Sequence, residues 1–299
     1  MTIRSKIILC SIGGLMGASA VWLGYQAAIR PEHSPVSRGA QLATTAGCFA
    51  CHGHSEEDPR INFRTTPSGR IRRSGIDIFW EDGVPEAEEV KEWITHGVPE
   101  RRRERHAQLL MQMPAYGDDG HLDASQIDDV TAWVLAEGLR LTEGNGNADG
   151  DVPELTDEER SALSDDELFV LGDRISRQQG CYQCHGELGQ GNVPNLQSFK
   201  GYIPGFFGHD FLELTADGDP HEIMHWIDDG RGEAIESGLL GGVARRFFET
   251  QAIPMPAYAE MMTANEKAIL VDFLLLLNRK GPLDSSAVEA IATTLADQN

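Results

Sequence analysis

Adding 133 to a residue number carries the first half of this 299-residue chain onto the second. Cys48-Phe49-Ala50-Cys51-His52 becomes Cys181-Tyr182-Gln183-Cys184-His185, since 181 minus 48 is 133. The same offset takes Gly39 to Gly172, Leu42 to Ile175 and Trp93-Ile94-x-x-Gly97 to Trp226-Ile227-x-x-Gly230. A register held over that length predicts two copies of one structural unit rather than a single large core. It lapses only after the glycine. Gly97 precedes Met113 by 16 residues and Gly230 precedes Met255 by 25, so the second copy carries nine extra residues. That Gly-rich insertion reads as a surface loop.

The apolar spacing inside each copy is helical. Ile127, Val130, Val134 and Leu135 make one stripe within residues 124–139. Residues 264–277 end in the run Leu274 to Leu277, apolar on every face and therefore expected to be buried. Extended alternating strands are missing from the pattern, so the expected class is all-α. The boundaries that follow are a first unit over 31–142, of which 31–38 is a link, and a second unit over 165–282. A linker over 143–164 separates them and a helical or frayed tail occupies 283–299. Residues 143–167 hold ten acidic side chains against the single basic Arg160, with a short helix expected to begin near Thr156.

Residues 1–30 form an export or anchoring segment. Arg4 and Lys6 precede an almost uncharged run from Ile7 to Ile29, and its 23 positions would make a helix of roughly 34 Å, enough to cross a hydrocarbon core. The alternative is a cleaved signal ending at Ala18-Ser19-Ala20. The run continues past that point through Val21, Trp22 and Leu23, which favours retention. On both readings the positive flank stays inside, and residues 31–299 lie on the outer, periplasmic side. Gly13 and Gly17, and again Ala20, Gly24 and Ala28, recur every four residues and suit close approach of a membrane-complex subunit's helix.

Charge bounds the partners. Twenty-five Lys and Arg against 47 Asp and Glu give a net −22, which repels phosphate backbones and makes nucleic acid a poor partner. It would favour a partner with a basic docking face. Arg101, Arg102, Arg103 and Arg105, with Arg245 and Arg246, are the local exceptions. They read as a docking patch, a counter-charge for an anionic group, or a solvated face.

Four of the five cysteines lie in the paired motifs, Cys48 with Cys51 and Cys181 with Cys184; Cys10 sits in the N-terminal run. In C-x-x-C-H, two intervening residues let each thiol add to one vinyl group of a haem, and the next residue, His52 or His185, can reach the iron. Two disulfides would give no reason for a histidine after each pair. The expected cofactors are two covalently attached haem c groups.

The pattern resembles the class I c-type cytochromes in a two-haem arrangement, over nearly all of residues 37–280. The resemblance rests on the two C-x-x-C-H motifs and on Met113-Pro114-Ala115-Tyr116 and Met255-Pro256-Ala257-Tyr258. It implies tandem cytochrome c-like domains, His52 and His185 as proximal iron ligands, and Met113 and Met255 as the second ligands. Register supports the set: none of the other eight histidines recurs at the 133-residue offset. Met111, two residues from Met113, stays open as a shifted ligand. The resemblance further implies a backbone carbonyl near Pro194-Asn195-Leu196 accepting from the His185 ring, with Ile61 at the first copy's position and Pro59 nearby. Trp93 and Trp226 are candidates for haem contact or for plain helix core.

His plus Met fills both axial positions and suits outer-sphere electron transfer rather than bond-making catalysis. The leading expectation is a membrane-tethered electron carrier, or a subunit of a respiratory or photosynthetic complex, with redox donor and acceptor proteins as partners. The alternative is a di-haem peroxidase-like haem oxidoreductase, faintly suggested by Phe63-Arg64-Thr65-Thr66-Pro67.

Overall fold

The computed structural model describes residues 33–52, 60–63, 70–73, 85–106, 113–143, 151–191, 193–198, 200–233, 237 and 241–296. The expected N-terminal span, Met111 and Pro59 lie outside them, as does most of Phe63–Pro67. Among the described residues no helix is long and apolar enough to cross a membrane.

The first half opens with α1 (Pro35–Thr45) and the motif helix α2 (Cys48–His52), followed by β1 (Arg60–Phe63) and β2 (Arg70–Arg73). Next come α3 (Ala87–His96), a 3-10 turn at Glu100–Arg102, α4 (Arg103–His106) and the long α5 (Ala124–Glu143). Helix α6 (Asp157–Ser161) leads into the second half, which repeats the plan. There α7 (Asp165–Gln178) precedes the motif helix α8 (Cys181–His185), and β3 (Val193–Pro194) pairs with β4 (Tyr202–Ile203). Then come α9 (Gly208–Leu214), α10 (Pro220–Asp229), α11 (Gly241–Thr250), α12 (Ala264–Lys280) and α13 (Ser285–Ala296). Helix dominates as the all-α expectation held, and the described strand is confined to two short antiparallel ladders.

Helix starts follow from capping chemistry. Thr156, Ser164 and Thr263 each accept from the backbone N–H three residues on, while Glu159, Glu167 and Glu266 reach back to the cap. Ser34 caps α1 with Pro35 at its first turn, so helix begins inside the stretch 31–38 that the sequence suggested was a link.

Each half is closed by a crossing of its first and last helices at a glycine. A Cβ on Gly39 would lie 2.0 Å from the Asp129 carbonyl oxygen on α5, and one on Gly172 would lie 2.1 Å from the Phe273 ring on α12. Only hydrogen lets these helices approach so closely. The stripe of α5 is buried as its spacing predicts, and of Leu274 to Leu277 all but Leu275 are buried.

The short helix expected near Thr156 is present as α6, and the two connecting segments pack against the halves. From Asp151 onward the acidic linker is laid along the second half. The Asp151 carbonyl accepts from Arg174, Asn265 bonds both Pro153 and Leu155, and Arg160 pairs with Asp272 on α12. The expected tail is a helix with a core face: Val288, Ala292 and Leu295 of α13 are buried, and α13 packs on α5 and also touches α3 and α7. At its start Ser285 donates to Asp128 of the first half at 2.6 Å. Just before it, the Leu283 N–H donates to the Gln190 side chain at 2.9 Å, and the Gln190 carbonyl accepts from Ser34 at 3.1 Å. Buried Gln190 thereby ties three distant segments together.

Candidate haem site

In the second half, the motif side chains are brought to one cavity. Its volume is about 870 Å³, and Cys181, Cys184 and His185 of α8 line it together with Met255 from the segment after α11. Cavities of about 300–1,000 Å³ are typical of cofactor sites. Phe206, Phe211, Ile223, Ile227, Leu270 and Leu274 give it an apolar wall.

The His185 ring is oriented by its surroundings. Its Nδ1 lies 2.9 Å from the Pro204 carbonyl oxygen, which can only accept, so Nδ1 carries the proton and Nε2 offers its lone pair. Phe206 lies against the ring at 4.5 Å between centroids. Burial lowers the imidazole pKa and so favours the neutral form that a metal requires. The carbonyl partner corrects the expectation placed on Pro194: that residue is paired in the β3–β4 ladder with Tyr202, and the turn back through β4 presents Pro204 instead.

Asn195, next to Pro194, has another task. Its side chain accepts from the Ile253 N–H at 2.9 Å and donates to the Ile253 carbonyl at 3.0 Å. This reciprocal pair fixes the strand of chain two residues before Met255. The Gly-rich insertion, expected to be a surface loop, is helical in part. Part of it forms α11, whose Phe248 lines the cavity and meets Trp226 edge to face at 5.5 Å. Trp226 lines the cavity too, with its indole N–H donating to the Leu214 carbonyl at 2.7 Å.

Burial pushes the Cys181 thiol up to about 11, which is the opposite of a reactive dithiol's depressed value. Behind the motif, Arg177 bridges Asp173 at 2.9 Å and Glu187 at 2.6 Å, and Tyr182 donates to Asp173 at 2.8 Å. These contacts fasten α8 to α7. Burial raises the Glu187 carboxyl to about 7 even with Arg177 alongside.

The first half shows the same frame around its own motif. Cys48, Phe49 and Met113 pack against the core, and Phe49 meets Trp133 edge to face at 5.6 Å. A Cβ on Gly97 would lie 2.4 Å from the Met113 carbonyl oxygen, and one on Gly230 would lie 2.3 Å from that of Met255. Tyr116 donates from its N–H to Ile94 at 3.0 Å and from its hydroxyl to Ala46 at 3.1 Å. Tyr258 does the same to Ile227 at 2.9 Å and Gln179 at 3.1 Å. The accepting carbonyls in the two halves are 133 residues apart. Each tyrosine thus ties its methionine segment to the carbonyl two residues before the first cysteine of its motif. Trp93 is buried on α3. The His52 motif helix is described, whereas the Cys51 side chain and residues 53–59 and 107–112 lie outside the described residues. The basic run is partly consumed by structure: Arg101 pairs with Glu89 and, at 2.9 Å, with Glu92 on α3, while Arg245 and Arg246 stand exposed on α11.

Cavity size, apolar lining and a His/Met/Cys donor set all fit a thioether-bound haem in the second half. No curated protein and no solved structure matches the chain. A family model described as cytochrome c matches residues 36–138, a match that supports haem-based electron transfer in this part of the chain.

Proposed function

We propose that the chain is a two-haem c-type cytochrome relaying single electrons between redox proteins on the outer side of the cytoplasmic membrane. The observation that carries this reading is the single cavity lined by Cys181, Cys184, His185 and Met255. When bound, haem supplies a one-electron iron couple. Cys181 and Cys184, like Cys48 and Cys51, would hold the group through thioethers. His185 and Met255, like His52 and Met113, would fill its axial positions.

The remaining work belongs to the protein. Pro204 fixes the His185 tautomer, and Asn195 and Tyr258 hold the methionine segment. The apolar wall keeps water from the centre, which limits reorganisation when charge changes. Were His185 with Met255, and His52 with Met113, to hold the irons, no position would be left for peroxide, which supports transfer over peroxidase chemistry. The acidic surface supports partners with a basic docking face, and residues 1–30 support a tether or a contact with membrane-complex subunits.

An absorption spectrum of the oxidised, haem-loaded protein tests the assignment through the far-red methionine-to-iron band. Two equivalents of that band per chain, with no carbon monoxide binding after reduction, are expected. One equivalent or none, with carbon monoxide bound, would sink the double His/Met assignment and favour the enzyme reading.

A further inference from the structure

Helix α10 turns its inner face, Ile223, Trp226 and Ile227, to the haem cavity. Its outer face carries His221 and His225, one helical turn apart, with ring centroids 4.8 Å from each other. Glu233 arrives from the segment just beyond the helix, where Gly230 adopts a left-handed conformation. Gly232 there packs so tightly that a Cβ would come within 2.3 Å of Glu222 and 2.6 Å of the Trp226 indole nitrogen. One ligand atom from each of His221, His225 and Glu233 lies within 4.8 Å of the others.

We propose that His221, His225 and Glu233 form a binding site for a divalent cation of the zinc class, separate from the haem iron. Two imidazoles and one carboxylate are the donor set such an ion takes with a water as fourth ligand. His225 already stands as a ligand would. Its Nε2 faces Glu233 at 3.2 Å, and its Nδ1 faces Asp229 at 3.3 Å. An Nδ1–H given to Asp229 leaves Nε2 as the metal-binding nitrogen, the carboxylate–histidine–metal arrangement.

The internal repeat supplies an independent argument. The corresponding positions in the first half are Glu88, Glu92 and Glu100, and the next residue is Arg101. There the guanidinium of Arg101 reaches back to Glu89 and Glu92 and joins the following segment to the helix. In the second half, position 234 is alanine and two of the three matching carboxylates are replaced by histidines. At that position the arginine is gone, and the helix face beside it carries imidazoles in place of carboxylates. A bound ion would fasten the start of the insertion to α10.

Titration of the haem-loaded full chain with zinc chloride, followed by calorimetry, tests the site. One saturable equivalent is expected, undiminished by excess magnesium. His221→Ala with His225→Ala should abolish it, and Glu233→Gln and Asp229→Asn should each weaken it about tenfold. X-ray absorption of the zinc complex should show two imidazole nitrogens at about 2.0–2.1 Å. Far-ultraviolet circular dichroism checks the fold of the double variant; if that variant unfolds, the Glu233→Gln and Asp229→Asn titrations decide. No saturable zinc binding, or binding unchanged by these substitutions, would overturn the proposal.

Discussion

A Cβ added to Gly230 would stand 2.3 Å from the carbonyl oxygen of Met255, so the end of α10 and the methionine segment touch at a place where only hydrogen fits. The backbone there has φ of +70°, which an L side chain adopts at a cost of about 1–2 kcal/mol. Gly97 and Met113 repeat the contact with φ of +74° and 2.4 Å. Gly230→Ala should therefore lower stability by about 1–3 kcal/mol in urea unfolding and push Met255 off its position. Carbon monoxide binding by the reduced protein is the second readout, and it should rise in the variant.

Met255→Ala should leave haem attached through Cys181 and Cys184 while opening the second centre to carbon monoxide. Met113→Ala should do the same at the first. Unchanged spectra in the first-half variant, with a change on replacing Met111, would move the ligand to that neighbour.

Removing one hydroxyl isolates the tie between methionine segment and motif. Tyr258→Phe keeps the ring and loses the bond to the Gln179 carbonyl, at an expected cost of about 0.5–1.5 kcal/mol in denaturant unfolding. Tyr116→Phe should cost a similar amount through Ala46.

Asp284 begins α13, where its carboxylate accepts from the Ala287 N–H at 2.9 Å and the Ser286 hydroxyl at 2.8 Å. The Ala287 N–H is the chief reason its pKa is lowered from 3.8. A depressed folded-state pKa adds stability that is present above the unfolded value and disappears as pH falls through the folded one. Asp284→Ala should cost about 1 kcal/mol at neutral pH. The difference from the parent protein should shrink below about pH 4, read by thermal melts across that range.

Much of this architecture is written locally. The Thr156, Ser164 and Thr263 caps, the C-x-x-C-H pairs and the repeated Met-Pro-Ala-Tyr segments carry signals over four or five residues. What escaped that reading depends on distant partners. Pro204 lies 19 residues from His185, and no short motif says which proline turns its carbonyl toward the ring. Gly238, Gly241 and Gly242 in the insertion signal a loop, which hides Phe248 as a cavity wall. Gln190 is an ordinary residue until Ser34 and Leu283 meet it, and α13 shows no partner until α5 offers its face.

The bond from Ser285 to Asp128 joins residues 157 apart in sequence. Closing so long a loop is slow and entropically expensive compared with forming either half alone. Helix α13 is therefore expected to dock late in folding, after the glycine crossings of each half have formed. Until then few contacts hold the halves to each other; afterwards α13, together with the bond from Ser34 to Gln190, fixes the distance between the two C-x-x-C-H motifs.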